Sequence, residues 1–152
     1  MRKKCKRKVW STAINPIAHA IAGAAITDST SLNKLRLGEL SALDAMKRGM
    51  ATVEDWRILT DMMNISEMMG KQGIGPEVLS WCEQAQESLL KAAQRFESTG
   101  AMGLDGQGIK ALTEVYEYHD LQRTSIARSV YENMIEKTRR RIRAHGKDVV
   151  SI

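Results

Sequence analysis

One short segment places a histidine among acidic side chains. It reads YEYHDLQR, residues 116–123, and its candidates for acid–base or metal chemistry are Glu117, His119 and Asp120. Metal ligands on a helix are spaced three or four residues apart on one face, as in His-x-x-x-His. Glu117 and Asp120 have that spacing, but His119 is rotated away from them and no second His or Cys is close in sequence. We therefore predict that His119 lies at the polar edge of the core, that the two acids face water or pair with Arg123, and that no metal binds here.

Two glycine-rich segments have some features of phosphate-binding loops. GKQGIGP, residues 70–76, contains Lys71 and precedes a predicted helix, but it lacks the Gly-Lys-Ser/Thr ending of a P-loop. TGAMGLDGQG, residues 99–108, carries four glycines. No predicted strand leads into either segment, and so many glycines disfavour regular structure. We interpret both segments as loops between helices and expect no nucleotide or other cofactor.

The sulfur-containing side chains offer reactivity without a catalytic arrangement. Cys5 is flanked by cations, which favour the thiolate, whereas Cys82 falls on the apolar face of a predicted helix. Neither has the base that nucleophilic catalysis requires. Six methionines could line an adaptable binding groove or fill the core, and their helical spacing favours the core: Met46, Met50, Met62, Met63, Met68 and Met69. We expect a protein that is not an enzyme.

The positive charge is concentrated at the two ends of the chain. Residues 9–136 hold eleven of the 23 Lys and Arg residues but seventeen of the 18 acids, a net charge of −6. Twelve basic residues lie outside that range: Arg2, Lys3, Lys4, Lys6, Arg7, Lys8, Lys137, Arg139, Arg140, Arg141, Arg143 and Lys147. Dense cations of this kind can neutralise phosphates or meet an acidic protein partner.

Two other interpretations of these basic ends stay open. The N-terminal run lacks apolar periodicity, so it is also consistent with a solvated, flexible arm over residues 1–13. Arg140 and Arg143 lie near the end of a predicted helix, where cations offset the helix dipole. We take Arg2 to Lys8 and Arg139 to Arg143, without the intervening Cys5 and Ile142, as the candidate contacts to nucleic acid or a partner protein.

The bulk composition indicates a single helical domain. A chain of 152 residues can bury a substantial core, and hydrophobic residues make up 43% of it while proline is limited to two. No apolar run approaches the roughly 18 residues that a membrane span needs. With two cysteines and no disulfide pattern, we expect a reducing, cytoplasmic location and no membrane partner.

Apolar periodicity and capping signals predict about six helices. The predicted segments start at Pro16 after Asn15, near Leu32, at Thr52 with a capping box to Asp55, at Pro76, at Ile109, and at Ser129 with a capping box to Glu132. The spacing from Val78 to Phe96 is the most regular stripe. No segment alternates with the period of a strand, and we find no internal repeat. We predict an all-α fold, a compact bundle of about six helices over residues 14–152.

Several segments together resemble a group of small uncharacterised proteins from temperate phages and other mobile elements of proteobacteria. These segments are NPIAHAIAGA, LSALDAMKRGMATVEDW apart from Val53, GIGPEVLSWCEQAQ apart from Gln84, YEYHDLQR and RSVYENMI. Some members of that group are labelled as Fis-like regulators, which require a C-terminal helix-turn-helix. Here the last two predicted helices are joined by TSIARS, which is longer than the turn of that motif and lacks its glycine.

The resemblance implies a bacterial cytoplasm and a phage-borne gene, and small phage proteins often inhibit host machinery such as CRISPR effector complexes. We therefore expect a non-enzymatic protein that binds a host protein or nucleoprotein complex and inhibits or modulates it. The alternative is a DNA-binding transcriptional regulator that uses its basic ends. The oligomeric state is not predicted by these features.

Overall fold

The computed structural model describes residues 28–145, and the regular structure in that range is entirely helical. Its elements are α1 (Ser29–Lys47), α2 (Val53–Lys71), a single 3-10 turn (Pro76–Val78), α3 (Leu79–Thr99), α4 (Gly106–Thr124) and α5 (Arg128–Ala144). The prediction of an all-α bundle is confirmed, with five α-helices in the described range. The helix predicted at Pro16 and the predicted arm of residues 1–13 lie outside that range.

Short polar side chains set the starts of three helices. The Asp28 carboxylate accepts a hydrogen bond from the Ser31 amide at 3.0 Å at the start of α1. At the start of α2 the predicted capping box is confirmed: the Thr52 hydroxyl accepts from the Asp55 amide at 3.2 Å, and the Asp55 carboxylate accepts from the Thr52 amide at 2.7 Å. Each bond satisfies a helix-terminal amide that has no partner within the helix.

Besides α3, which begins at Leu79 after a 3-10 turn from the predicted start at Pro76, two helix starts differ from the prediction. α4 begins at Gly106, inside the segment predicted as loop, because Asp105 accepts a hydrogen bond from the Gly108 amide at 2.7 Å and caps the helix. α5 begins at Arg128, so the predicted Ser129 cap is wrong, and Glu132 pairs instead with Arg128 at 2.8 Å. In both cases the backbone continues as helix through residues that the sequence pattern assigned to a loop or a cap.

α2 is the central helix, with α1, α3, α4 and α5 all packed against it. The indole nitrogen of Trp56 donates a hydrogen bond to the Leu89 carbonyl of α3 at 3.0 Å. The predicted apolar stripe of α3 is buried, as are five of the six methionines considered above; Met50 is 73% exposed. Each large apolar side chain removed from water in this way contributes about 1.5–3 kcal/mol to folding.

The turn between α2 and α3 is anchored to α4 by one buried amide. The Gln122 Nε2 donates hydrogen bonds to the carbonyls of Ile74 at 2.7 Å and Ser66 at 3.3 Å, and its Oε1 accepts from the Ser66 hydroxyl at 2.7 Å. Gly75 adopts a φ of 60° in this turn, and a Cβ there would approach the Gln122 Cγ at 3.3 Å. A buried polar group with all these partners fixes the course of the turn.

α1 and α5 lie on α2 and leave a groove between them. α5 packs chiefly on α2, and Tyr131, Met134, Met68 and Met69 form a small second core beneath it. Leu35 of α1 lines this groove and is 40% exposed. The bundle therefore presents apolar side chains at this groove.

Candidate functional site

An ion-pair network joins α1 to α4 in the interior of the protein. Arg123 is 1% exposed, and its Nη1 and Nη2 donate to the two carboxylate oxygens of Glu39, both at 2.8 Å. The same guanidinium donates to Asp120 Oδ1 through Nε at 3.0 Å and Nη2 at 2.8 Å. Of the two predicted alternatives for Asp120, exposure to water or pairing with Arg123, the structure shows the pairing. Such two-pronged geometry is the strongest form of arginine–carboxylate contact.

Arg36 extends the network toward the surface. Its Nε and Nη2 donate to the two oxygens of Asp120, both at 2.8 Å. The hydrogen bonds from Arg36 lower the pKa of Asp120, while burial raises the pKa of Glu39 against the opposing effect of Arg123. The network therefore alternates two guanidinium groups with two carboxylates, and its charges are balanced by one another.

His119 lies deeper than the sequence predicts. It is fully buried rather than at the edge of the core, with its Nε2 3.2 Å from the Tyr131 hydroxyl and 3.8 Å from Glu39 Oε1. Burial, aided by the charge of Arg123, lowers the pKa of His119 to about 3, so the imidazole is neutral at physiological pH. Its Nδ1 has no hydrogen-bond partner among the described residues.

The groove between α1 and α5 has a volume of about 440 Å³ and passes over α2. His119 and Tyr131 also line it. Its apolar lining consists of Leu35, Ile58, Met62, Ile65, Ile135 and Ile142. Its charged lining consists of Lys34, Glu39, Asp61 and Arg139. An apolar concavity with a few polar groups is the usual form of a binding site.

A smaller cavity of about 260 Å³ lies between α2, α3 and α5. Trp56 and Leu89 line it together with Glu67 and Arg141, whose Nη1 donates to the Glu67 carboxylate at 2.6 Å. Burial alone would raise the pKa of Glu67, but its bonds to Lys71 and Arg141 outweigh burial and lower it. An ion pair therefore occupies the wall of this cavity, which makes it less open to an apolar ligand.

The structure separates the four predicted arginines of α5 into two groups. Arg141 pairs with Glu67, and Arg140 lies 3.5 Å from the Glu136 carboxylate. Arg139 lines the groove and Arg143 is exposed one turn further on; neither forms a hydrogen bond or ion pair with a residue of the described range. The six N-terminal candidates lie outside that range: Arg2, Lys3, Lys4, Lys6, Arg7 and Lys8.

Sequence reasoning missed the α1 side of this region. Glu39 falls on the same face as the buried Leu32, Leu43 and Met46, and Arg123 follows the buried face of α4. A charged residue on an apolar stripe is the signal that could have found both, because a buried charge needs a partner of opposite sign. No sequence pattern indicates that Lys34 lines a groove, since its position there depends on how α5 packs.

The described residues contain no group of three or more His, Cys, Asp or Glu side chains that could hold a metal ion. Within residues 28–145, the helices all lack the length and apolar character that crossing a bilayer requires. No protein-family model matches this chain, and no curated protein and no solved structure shows significant similarity to it. The function must therefore be argued from the surface and the groove.

Proposed function

We propose that this is a non-enzymatic protein of a phage or mobile element that binds a host nucleoprotein complex and inhibits or modulates it, as anti-CRISPR proteins do. The observation that carries the proposal is the separation of charge between α5 and the rest of the described bundle. Residues 28–127 hold ten basic and fifteen acidic residues, a net charge of −5. Residues 128–144 hold six basic and two acidic residues, a net charge of +4.

This separation suits a protein that competes with nucleic acid. An acidic surface is complementary to the basic grooves in which nucleoprotein complexes hold RNA or DNA. A basic helix on another side of the same molecule is complementary to the nucleic acid itself or to an acidic subunit. Contacts of both signs would orient the protein on a target that presents both signs.

A DNA-binding regulator is the second candidate, and Arg139 and Arg143 favour it. They lie four residues apart, so they project from the same side of α5, and neither forms a hydrogen bond or a close ion pair with a described residue, although Arg139 lies near enough to Asp61 for their charges to interact. The link from α4 to α5 is residues 125–127, so the expectation of a linker longer than a helix-turn-helix turn is wrong. However, α5 packs chiefly on α2, whereas a recognition helix is supported by the helix before it.

Two binding measurements distinguish these candidates. The first is titration of the full chain with labelled duplex DNA at several salt concentrations. A DNA-binding regulator should bind the duplex, with a binding constant that falls as salt rises. Arg139→Glu with Arg143→Glu should reduce the slope of the logarithm of the binding constant against the logarithm of salt concentration by about one for each phosphate that the variant no longer neutralises. The control is Lys47→Glu with Lys110→Glu, which changes the net charge equally at exposed positions on α1 and α4.

The second measurement is co-elution of the full chain with a purified host CRISPR effector complex. The proposed function predicts a stable complex, reduced nuclease activity of the effector, and no salt-sensitive binding of free duplex DNA. Binding of free DNA that depends on Arg139 and Arg143, together with no complex, would replace the proposal with the regulator.

A further inference from the structure

We propose that the groove between α1 and α5 is a docking site for an acidic amphipathic helix of a partner protein. The groove shares Arg139 with the basic side of α5, but its apolar lining is a feature of its own, so this inference does not depend on which host complex the protein targets. It rests on the depth and lining of the groove and on the charges along its two walls. A partner helix there would present apolar side chains to the groove and carboxylates to its walls.

The dimensions of the groove suit a helix. The lining residues of α5 run from Tyr131 to Ile142, a rise of about 16 Å or three helical turns. A volume of about 440 Å³ accommodates several aliphatic side chains. Leu35 remains 40% exposed at the α1 wall, although it sits beside an apolar surface. Helices that bind such grooves do so with apolar residues at three- and four-residue spacing.

The charges on the groove favour an acidic occupant. Lys34 on the α1 wall and Arg139 on the α5 wall have no hydrogen bond or ion pair to a described residue. Arg143 continues the cationic wall by one turn. Glu39 is neutralised by Arg123 at 2.8 Å, which leaves Asp61 as the acid of the lining whose charge faces these cations. Partial burial raises the pKa of Asp61, and the charge of Arg139 opposes that rise.

Other occupants match these features less well. Residues 16–27, which precede α1, contain apolar residues but no carboxylate side chain, so they offer nothing to Lys34 and Arg139. Nucleic acid would meet those cations but would leave an aliphatic groove unfilled. A partner helix with carboxylates flanking an apolar stripe would pack its apolar side chains against the groove lining and pair its carboxylates with Lys34 and Arg139.

The test is fluorescence anisotropy with a labelled synthetic helix of about 14 residues, built with Leu at helical spacing and Glu at the flanking positions. The full chain should bind it, more weakly at high salt, and should not bind a version with Lys in place of Glu. Lys34→Glu with Arg139→Glu should weaken binding by about tenfold or more, because it places like charges together. Lys47→Glu, on the same helix as Lys34 but outside the groove, should change binding by less than about twofold.

The apolar part of the inference has its own variant. Leu35→Ser changes a side chain that is already 40% exposed, so the fold should persist, which circular dichroism and thermal unfolding of the variant would check. It should weaken peptide binding without altering the salt dependence. Equal peptide binding by the wild-type chain and by the Lys34→Glu, Arg139→Glu variant would overturn the proposal.

Three further outcomes would also overturn it by assigning the groove to another occupant. Peptide binding that appears only in the full chain carrying Ile21→Glu would indicate that the N-terminal segment occupies the groove. A concentration-dependent dimer in sedimentation, dissociated by Leu35→Ser, would indicate a second copy. Binding of a single-stranded oligonucleotide that competes with the peptide and is lost in the Lys34→Glu, Arg139→Glu variant would indicate nucleic acid. None of these results bears on co-elution with a host complex, so failure here is distinguishable from failure of the proposed function.

Discussion

Replacing Arg123 with methionine should be the most damaging single substitution in the network between α1 and α4. Methionine has similar length and suits a buried site, so the change removes the charge without leaving a large cavity. Glu39 would lose both of its hydrogen bonds at 2.8 Å while it remains 7% exposed. Asp120 would keep its two bonds to Arg36. The cost therefore falls mainly on one uncompensated, buried carboxylate.

The magnitude follows from the burial of that carboxylate. Removing one partner of a buried ion pair typically costs about 3–5 kcal/mol, because the remaining charge is left without compensation. For a chain of this size each kcal/mol corresponds to about 2–4 °C in the melting temperature. We expect Arg123→Met to lower the free energy of unfolding by about 3 kcal/mol or more and the melting temperature by about 10 °C.

The assay is urea unfolding followed by circular dichroism, with thermal unfolding as a second measurement. Arg36→Met is the control, since it also removes a two-pronged bond to a carboxylate but at a site where the Arg36 side chain is 33% exposed. Its loss of stability should be clearly smaller because water can solvate the Asp120 carboxylate in place of Arg36. The double change Glu39→Leu with Arg123→Met should recover much of the loss, since it removes both buried charges.

The result that refutes this reasoning is equal loss of stability in Arg123→Met and Arg36→Met. Leaving the buried Glu39 carboxylate without its partner would then cost no more than leaving the more exposed Asp120 without Arg36, and burial would not explain the contribution of the network to stability. A Glu39→Leu, Arg123→Met variant that is less stable than Arg123→Met alone would also contradict the reasoning, because removing an unpaired buried charge should raise the free energy of unfolding.

The remaining predictions concern His119 and two glycines. The pKa of His119 is about 3 in the folded protein against 6.5 ordinarily, so the free energy of unfolding should be unaffected by this group above pH 6.5 and should fall by up to about 4 kcal/mol as the pH falls toward 3. His119→Gln should flatten the dependence of the unfolding free energy on pH between 6.5 and 3. An unchanged slope in that range would contradict the burial of a neutral His119. Gly103→Ala should lower the free energy of unfolding by about 1–3 kcal/mol, because the new Cβ would lie 2.9 Å from the Gly49 Cα. At Gly106 a new Cβ meets nothing within 4 Å, so Gly106→Ala should leave stability unchanged or raise it by up to about 1 kcal/mol. Similar melting temperatures for the two variants would show that the close approach to Gly49 relaxes without cost.

The accuracy of the helix predictions depended on how local their signals were. The capping box of Thr52 and Asp55 was predicted because both partners lie within four residues. Ser129 was mispredicted as a cap although the same pattern was present, because α5 starts before it and Glu132 pairs with Arg128. Local patterns identify possible caps, but α5 begins after Ala127 with no side-chain cap, so such a pattern alone does not fix where a helix starts.

The candidate site was predictable in part. The pairing of Asp120 with Arg123 was expected from a separation of three residues on one helix. Glu39 is 84 residues from Arg123, and no local pattern indicates that the two meet. The groove could not be predicted at all, because it exists only through the placement of α1 and α5 on α2.

Residue types and their spacing were sufficient to predict the helical class of this protein, the apolar stripe of α3 and the asymmetry of its charge. These properties are set by residue type and by spacing within a few turns of the chain. The packing of the helices, in contrast, determines that Arg123 neutralises Glu39, that Arg141 pairs with Glu67, and that Arg139 lines a groove. Charges that are distant in sequence neutralise one another only when packing brings them within a few ångströms, because water screens them at longer range.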